Sequence, residues 1–269
     1  MERFLYRFSH SKYADKFFLK GALLFTVWQI PERRTTLDID FLARYDNKVT
    51  SIEAVMGDVC AVSVEPDGLA FDAMTVQGRK IKEDADYEGV RVKFVGFLEC
   101  SHIPMQIDVG FGDIVYPKTK VIDYPVILDF PKPHLKGYPA ESVISEKFEA
   151  MIKLGLLNSR MKDFYEIWLM MHQFDFDGSN LAGALKRTFE HRKTDIPNGR
   201  PVFAEEIYNE TSDRQTLWSM FLKKSDIKHA PDKLATTATE IENFLVEPLG
   251  ALNKGLEFNK EWKASGPWK

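Results

Sequence analysis

Two aspartates separated by one residue, Asp38-Ile39-Asp40, are the first candidates for chemistry. They fall in Leu37-Asp38-Ile39-Asp40-Phe41-Leu42, where apolar and acidic residues alternate with the two-residue period of a strand. On such a strand both carboxylates point to one side, while Leu37, Ile39 and Phe41 face a core. Like charges held that close repel unless a cation lies between them. Mg2+, a hard ion that takes oxygen ligands, suits the pair, with Mn2+ as a substitute. Two surface carboxylates at a strand edge are the other reading of the pair taken alone. Asp108 adds a third acid: it points outward from the alternating run Gln106-Ile107-Asp108-Val109, between inward-facing Ile107 and Val109. A neighbouring strand would bring it beside the first pair. Three carboxylates on one sheet face make a metal site that activates a hydroxyl and stabilises a leaving pyrophosphate.

Cations and a glycine supply the second set. Lys20-Gly21-Ala22 precedes an apolar segment, Ala22 to Ile30, which reads as a buried helix ended by Pro31. A glycine there either lets backbone N–H groups approach a phosphate or simply turns the chain. Lys147 stands in Ser145-Glu146-Lys147-Phe148-Glu149-Ala150, and Arg160, Lys162 and Asp163 in the run Asn158 to Tyr165. Charges on helices are ordinarily solvated, so position alone assigns them no role. The six histidines show no metal-ligand spacing, and no Ser-His-Asp or Cys-His pattern occurs.

The elements that must position these residues fall into two kinds. Phe4 to Lys16 is weakly helical and residues 50–61 are helical, whereas 69–115 read as strands with polar turns; Val90, Val92 and Phe94 alternate with Arg91 and Lys93. Pro125, Pro131, Pro133, Pro139 and Gly137 then suit a rigid connector better than an element. Beyond it, helical spacing covers 141–154, 158–171, 181–193, 203–223 and 234–246, with Leu234, Ala238, Ile241 and Leu245 forming one stripe. The expectation is an α/β core over 1–125, a Pro-rich connector over 126–139 and a helical domain over 140–269. Trp262 and Trp268 predict a tail that docks onto the body.

Composition bounds the rest. The 269 residues, 44% hydrophobic and 28% charged, suffice for a sizeable core. A formal charge of -4, from 36 Lys+Arg against 40 Asp+Glu, gives no global field drawing the chain onto nucleic acid. A local track is needed, and Lys186, Arg187, His191, Arg192 and Lys193, or Lys223, Lys224 and Lys228, could supply it or merely solubilise. Two cysteines exclude a disulfide scaffold and a Cys-rich zinc site, and suit a reducing compartment. With no signal-like opening and no membrane-length apolar run, a soluble cytoplasmic protein is expected.

In order, these signals resemble the nucleotidyltransferase-fold toxins of the abortive-infection AbiEii/AbiGii family. The likeness rests on Phe18-Leu-Lys-Gly-Ala-Leu-Leu-Phe25, Arg34-Thr-Thr-Leu-Asp-Ile-Asp-Phe41, Gln106-Ile-Asp-Val-Gly-Phe-Gly-Asp113, Glu146-Lys-Phe-Glu-Ala-Met-Ile-Lys-Leu-Gly155 and Ser159-Arg-Met-Lys-Asp-Phe-Tyr165. It spans residues 18 to about 170. The resemblance implies a polymerase-β-like α/β (α+β) fold, a mixed sheet with a C-terminal helical domain. It implies Mg-dependent transfer of a nucleotide from NTP to an acceptor, the tRNA 3′ end in related toxins, and a cognate antitoxin in a phage-defence type system. Asp38, Asp40 and Asp108 match the metal-binding carboxylates, and Lys147 and Asp163 the helical-domain residues needed for activity. Lys20, Gly21, Arg34, Thr36, Arg160 and Lys162 form the implied nucleotide-binding set. Two departures stand out: Ala22 replaces the small hydroxyl residue that often follows the glycine, and Glu166 is the acid closing the last motif. A protein or small-molecule acceptor, or a non-catalytic nucleotide- or partner-binding module, are the alternatives.

Overall fold

The computed structural model describes residues 1–31, 33–84 and 87–269, with the side chains of 82–88 left aside. Two units divide it: residues 1–113 with 119–138, and residues 114–118 with 139–269. The first holds α1 (Glu2–Ser9), β1 (Phe17–Lys20), α2 (Leu23–Val27), β2 (Asp38–Ala43), α3 (Val49–Cys60), β3 (Leu69–Asp84), β4 (Tyr87–Leu98), β5 (Ser101–Phe111), β6 (Lys120–Asp123) and β7 (His134–Gly137). Its strands form one mixed sheet in the order β3-β4-β5-β2-β1-β7-β6. β2 lies in the middle, parallel to β5 and antiparallel to β1.

Alternation fixes which face of β2 is buried. Ile39 and Phe41 are fully buried. Phe41 stacks on Phe8 of α1 at 4.8 Å between ring centres and meets Phe17 edge-on at 5.9 Å. Burying such a ring contributes about 1.5–3 kcal/mol. Ile52, Val55, Met56 and Val59, at helical spacing on α3, are buried with it. The apolar face of the sheet is thus covered, and the acidic residues of β2 take the other. Leu37, expected to face the core, is 84% exposed: the strand begins at Asp38, so Leu37 has no sheet position to bury it. Helix α1 is anchored by charge as well as by Phe4 and Phe8. Arg3 and Arg7 both donate to Asp67, at 2.8 and 2.7 Å. Burial opposes ionisation of Asp67, but these arginines and the Leu69 N–H outweigh it and hold the carboxyl down to about 2.

Two segments depart from the sequence reading. The helix expected over Ala22 to Ile30 ends at Val27. Gln29 takes a left-handed conformation (φ 55°), and the Ile30 N–H reaches back to the Phe25 carbonyl, a closing motif that stops a helix. The segment expected as a connector over 126–139 contains β7, which pairs with β1 and β6. Its prolines flank the strand at 131, 133 and 139 without interrupting it, so every position from His134 to Gly137 keeps its N–H.

The second unit holds α4 (Ala140–Leu154), α5 (Met161–Gln173), β8 (Phe176–Asp177), α6 (Gly178–Arg192), α7 (Glu205–Tyr208), α8 (Asp213–Lys224), α9 (Leu234–Asn253) and β9 (Glu261–Trp262). The helix expected over 203–223 is two helices. The second starts at Ser212, whose hydroxyl accepts from the Gln215 N–H as an N-cap. The α9 stripe of Leu234, Ala238, Ile241 and Leu245 is fully buried. The C-terminal segment docks through its tryptophans: Trp262 Nε1 donates to the Met171 carbonyl at 2.8 Å, and Trp268 Nε1 to that of Phe244 at 2.7 Å. Among the described residues no helix is long and apolar enough to cross a membrane.

Candidate active site

Strand register sets four charged residues in one line. Lys20 on β1 lies opposite Asp40 on β2, Asp40 opposite Asp108 on β5, and Asp108 opposite Arg91 on β4. Directly opposed residues share a face, so a cation, two carboxylates and a cation run across the sheet at a spacing of ~4.8 Å per strand. Asp38, two residues before Asp40, faces the same way. Asp38 and Asp40 are partly exposed, whereas Asp108 is buried. Each end of the line is tied down. Arg91 donates through Nε and Nη2 to both oxygens of Asp108, at 2.7 and 2.6 Å, and Lys20 Nζ donates to Asp113 at 3.1 Å. The bond to Asp108 holds the Arg91 guanidinium above its ordinary pKa, with Asp38 and Asp40 adding to it. Sequence reasoning put Arg91 on the outward side of β4 but missed it as a site residue, because pairing with Asp108 depends on strand register.

Gly21 sits in the turn after β1 with φ +71°, a conformation that favours glycine. A side chain there would strike the Asp40 carboxylate, so the turn and the acid occupy adjoining space. The five-residue α2 that follows is too short to carry a helix dipole of consequence. Thr36 turns its hydroxyl to the Asp38 backbone, with contacts of 3.4 and 3.5 Å, and Arg34 Nη1 reaches the Thr35 carbonyl at 3.4 Å. Both flank the entry to β2.

The donor set fits a hard divalent ion on one pair. Asp38 and Asp40 offer carboxylate oxygens from one face, which is what such an ion takes when water and substrate phosphate complete its coordination. Asp108 is in the right row, but both its oxygens are engaged by Arg91. Among the described residues no three acidic, histidine or cysteine side chains come together as an ion cage. The three-carboxylate arrangement expected from the sequence is therefore two carboxylates plus an arginine-bound third.

In the helical unit a second cluster forms around Asp163, the third residue of α5. Its two oxygens take Lys147 Nζ of α4 at 2.8 Å and Arg160 Nε at 2.6 Å, and Lys147 also lies 2.5 Å from Glu166. Asp163 is fully buried and Glu166 nearly so. Burial opposes the charged form of Lys147, but Asp163 and Glu166 outweigh it and raise its pKa; burial likewise opposes Asp163, and Lys147 with Arg160 lowers it. Half-buried Lys162 is lowered by burial and by Lys147 beside it. The structure thus makes Asp163 the bridge between Lys147 and Arg160, with Glu166 as the second anion. The helical charges noted as a phosphate track do not all face solvent: Arg192 is an ion pair with fully buried Glu149 at 2.8 Å. Arg187 remains exposed, over the ring of Tyr116 at 4.1 Å.

The family described as nucleotidyl transferase AbiEii toxin of type IV toxin–antitoxin systems matches residues 3–240. No curated protein matches the chain in sequence. Among solved structures, a candidate nucleotidyltransferase from H. pylori is similar over 96% of this chain and 95% of that one, at 14% identity and a TM-score of 0.52. JHP933 from Helicobacter pylori is similar over 94% and 92%, at 13% identity and a TM-score of 0.45. At such identities the first likeness speaks for the mixed-sheet fold, and the family match speaks for the activity. The chain belongs to the AbiEii nucleotidyl transferase toxin family of type IV toxin–antitoxin systems.

Proposed function

We propose that this nucleotidyltransferase moves a nucleotide from an NTP to the 3′ end of tRNA with Mg2+, or Mn2+ in its place, in the cytoplasm, as a phage-defence toxin restrained by a cognate antitoxin. The observation that carries the reading is the line Lys20, Asp40, Asp108, Arg91 with Asp38 beside it. Asp38 and Asp40 share one sheet face, where like charges repel unless a cation lies between them. Asp38 and Asp40 would hold the divalent ion, which when bound neutralises phosphate charge and polarises the reacting oxygens.

The chain's own residues do the rest. Asp108, held in place by Arg91, keeps a second lone pair on each oxygen and takes the proton of the acceptor hydroxyl. The hydroxyl oxygen bonds to the α-phosphorus, the bond to the leaving pyrophosphate breaks, and a phosphodiester results. Gly21 keeps the first turn flat, so that phosphate can approach the backbone beside Asp40. The Lys147, Asp163, Arg160 and Glu166 cluster fixes the cations of the helical unit, with Lys162 at its margin. Positioning and charge neutralisation account for the rate in transfers of this kind.

Purified protein incubated with each labelled NTP, with and without total tRNA, tests the reading. Label should enter tRNA from one preferred NTP, and Asp40→Ala should abolish it. Wild-type incorporation by the Asp40→Ala protein would overturn the site, and label appearing in protein instead of RNA would move the acceptor to a side chain.

A further inference from the structure

We propose that Arg79 and Lys93, on the outer strands β3 and β4, form a track for the phosphate backbone of the RNA acceptor on the same sheet face as the carboxylates. The inference rests on the transferase reading above for the nature of the acceptor. Register carries it. Arg79 lies opposite Arg91, extending the charged line by one strand. A second line runs beside it: Gln77 opposite Lys93, Lys93 opposite Gln106, and Gln106 opposite Asp38. The other face of these strands belongs to the core. Gly78 donates its N–H to Glu53 of α3 at 2.6 Å, a β-carbon on it would meet Val49 at 2.7 Å, and Val90 and Val92 are buried. Arg79, Gln77 and Lys93 therefore point away from α3, and all three are exposed.

The position of that arginine carries a cost. Like charges directly opposite on neighbouring strands are destabilising, and Arg79 opposes Arg91, whose own carboxylate partner lies on its far side. An anion over the two strands turns this repulsion into a seat. The guanidinium fork matches phosphate oxygens in pairs, and a lysine ammonium serves as a compact point charge next to it. Three strand spacings of ~4.8 Å separate Arg79 from Asp40, a distance that the last few nucleotides of a single strand span. The terminal hydroxyl would then reach the carboxylates while the preceding phosphates lie over β4 and β3. The competing helical track is weakened by Arg192, which is committed to Glu149.

The test measures RNA binding and transfer separately on the full chain. Fluorescence anisotropy with 5′-labelled tRNA across a salt series compares wild type, Arg79→Gln/Lys93→Gln and Lys223→Gln/Lys224→Gln. The first pair should weaken binding at least tenfold and flatten the slope of log K against log salt by about 1.4, or ~0.7 per lost single-strand phosphate contact. It should raise the KM for tRNA and leave the KM for NTP within twofold, and Lys93→Gln alone should give about half the change in slope. Unaltered binding by Arg79→Gln/Lys93→Gln, or a loss that follows Lys223 and Lys224 instead, overturns the track. So does a wild type that binds an acidic protein and no RNA. If tRNA is labelled with unchanged KM in the Arg79→Gln/Lys93→Gln protein, the track fails and the transferase reading stands. If RNA binding depends on Arg79 and Lys93 but no RNA is ever labelled, the transferase reading fails and the track stands.

Discussion

A β-carbon placed on Gly21 would fall 2.0 Å from Asp40 Oδ2 and 2.7 Å from its Cγ. The carboxylate therefore occupies the volume that any side chain at residue 21 would need. One residue is a turn and the other an acid, yet no side chain can be added at the first without displacing the second.

Gly21→Ala should show it. The backbone penalty at φ +71° is about 1–2 kcal/mol, readable as a lower unfolding midpoint. Nucleotide transfer should fall much further, by at least a hundredfold, because Asp40 must leave its row. A variant that keeps wild-type transfer while losing stability would detach the glycine from the acid.

Arg91→Lys keeps the charge beside Asp108 but replaces a two-pronged grip with a single point donor. Transfer should drop about tenfold, with a stability loss of about 1 kcal/mol for one net hydrogen bond. Steady-state kinetics with urea unfolding reads both. Unchanged turnover would make the guanidinium a structural brace only.

Removing Lys147 takes the shared cation from two buried acids. Lys147→Ala should cost about 3–5 kcal/mol in chemical unfolding, the range for breaking a buried ion pair from one side. A loss below 1 kcal/mol would mean that Arg160 alone can hold Asp163.

Acid stability should report on Asp67. Its folded pKa is held to about 2, against an ordinary 3.8, so the folded state binds its proton more weakly than the unfolded chain does. The stabilisation is complete above pH 3.8 and is lost as pH falls through 2. Arg7→Gln should shift the acid unfolding midpoint to higher pH, measured by circular dichroism. No shift would show that Arg3 alone sustains the carboxylate.

How much of this was legible depended on whether the signal was local. Asp38 and Asp40 could be placed on one face because a two-residue period is written in the residues themselves, and Ile39 and Phe41 turned inward as expected. Leu37 broke the pattern because periodicity does not say where a strand starts. β1 is only four residues long, and Phe17, Phe18 and Leu19 have no polar alternation to mark them as a strand. β7 was hidden by prolines that mark its ends. The partners Arg91 and Asp108 are 17 residues apart and meet only through register. Arg192 looked like surface charge because a helix face cannot be assigned without knowing what it packs on; Glu149 is what it found. The Asp163 cluster was named residue by residue from its motif, but the bridging role of that acid came only with the distances.

One feature of the topology also sets a timetable. The chain leaves the sheet after Asp113 and returns at Thr119 to lay β7 along β1, pairing Leu19 with Gly137 more than a hundred residues later. At roughly 5–20 residues per second of synthesis, β1 waits on the order of ten seconds for that partner. Through that interval the strand bearing Lys20 presents bare N–H and C=O groups to whatever strand it meets. A released chain ending near residue 113 would carry the carboxylate row on its β5 side while lacking the strand that covers β1 on the other.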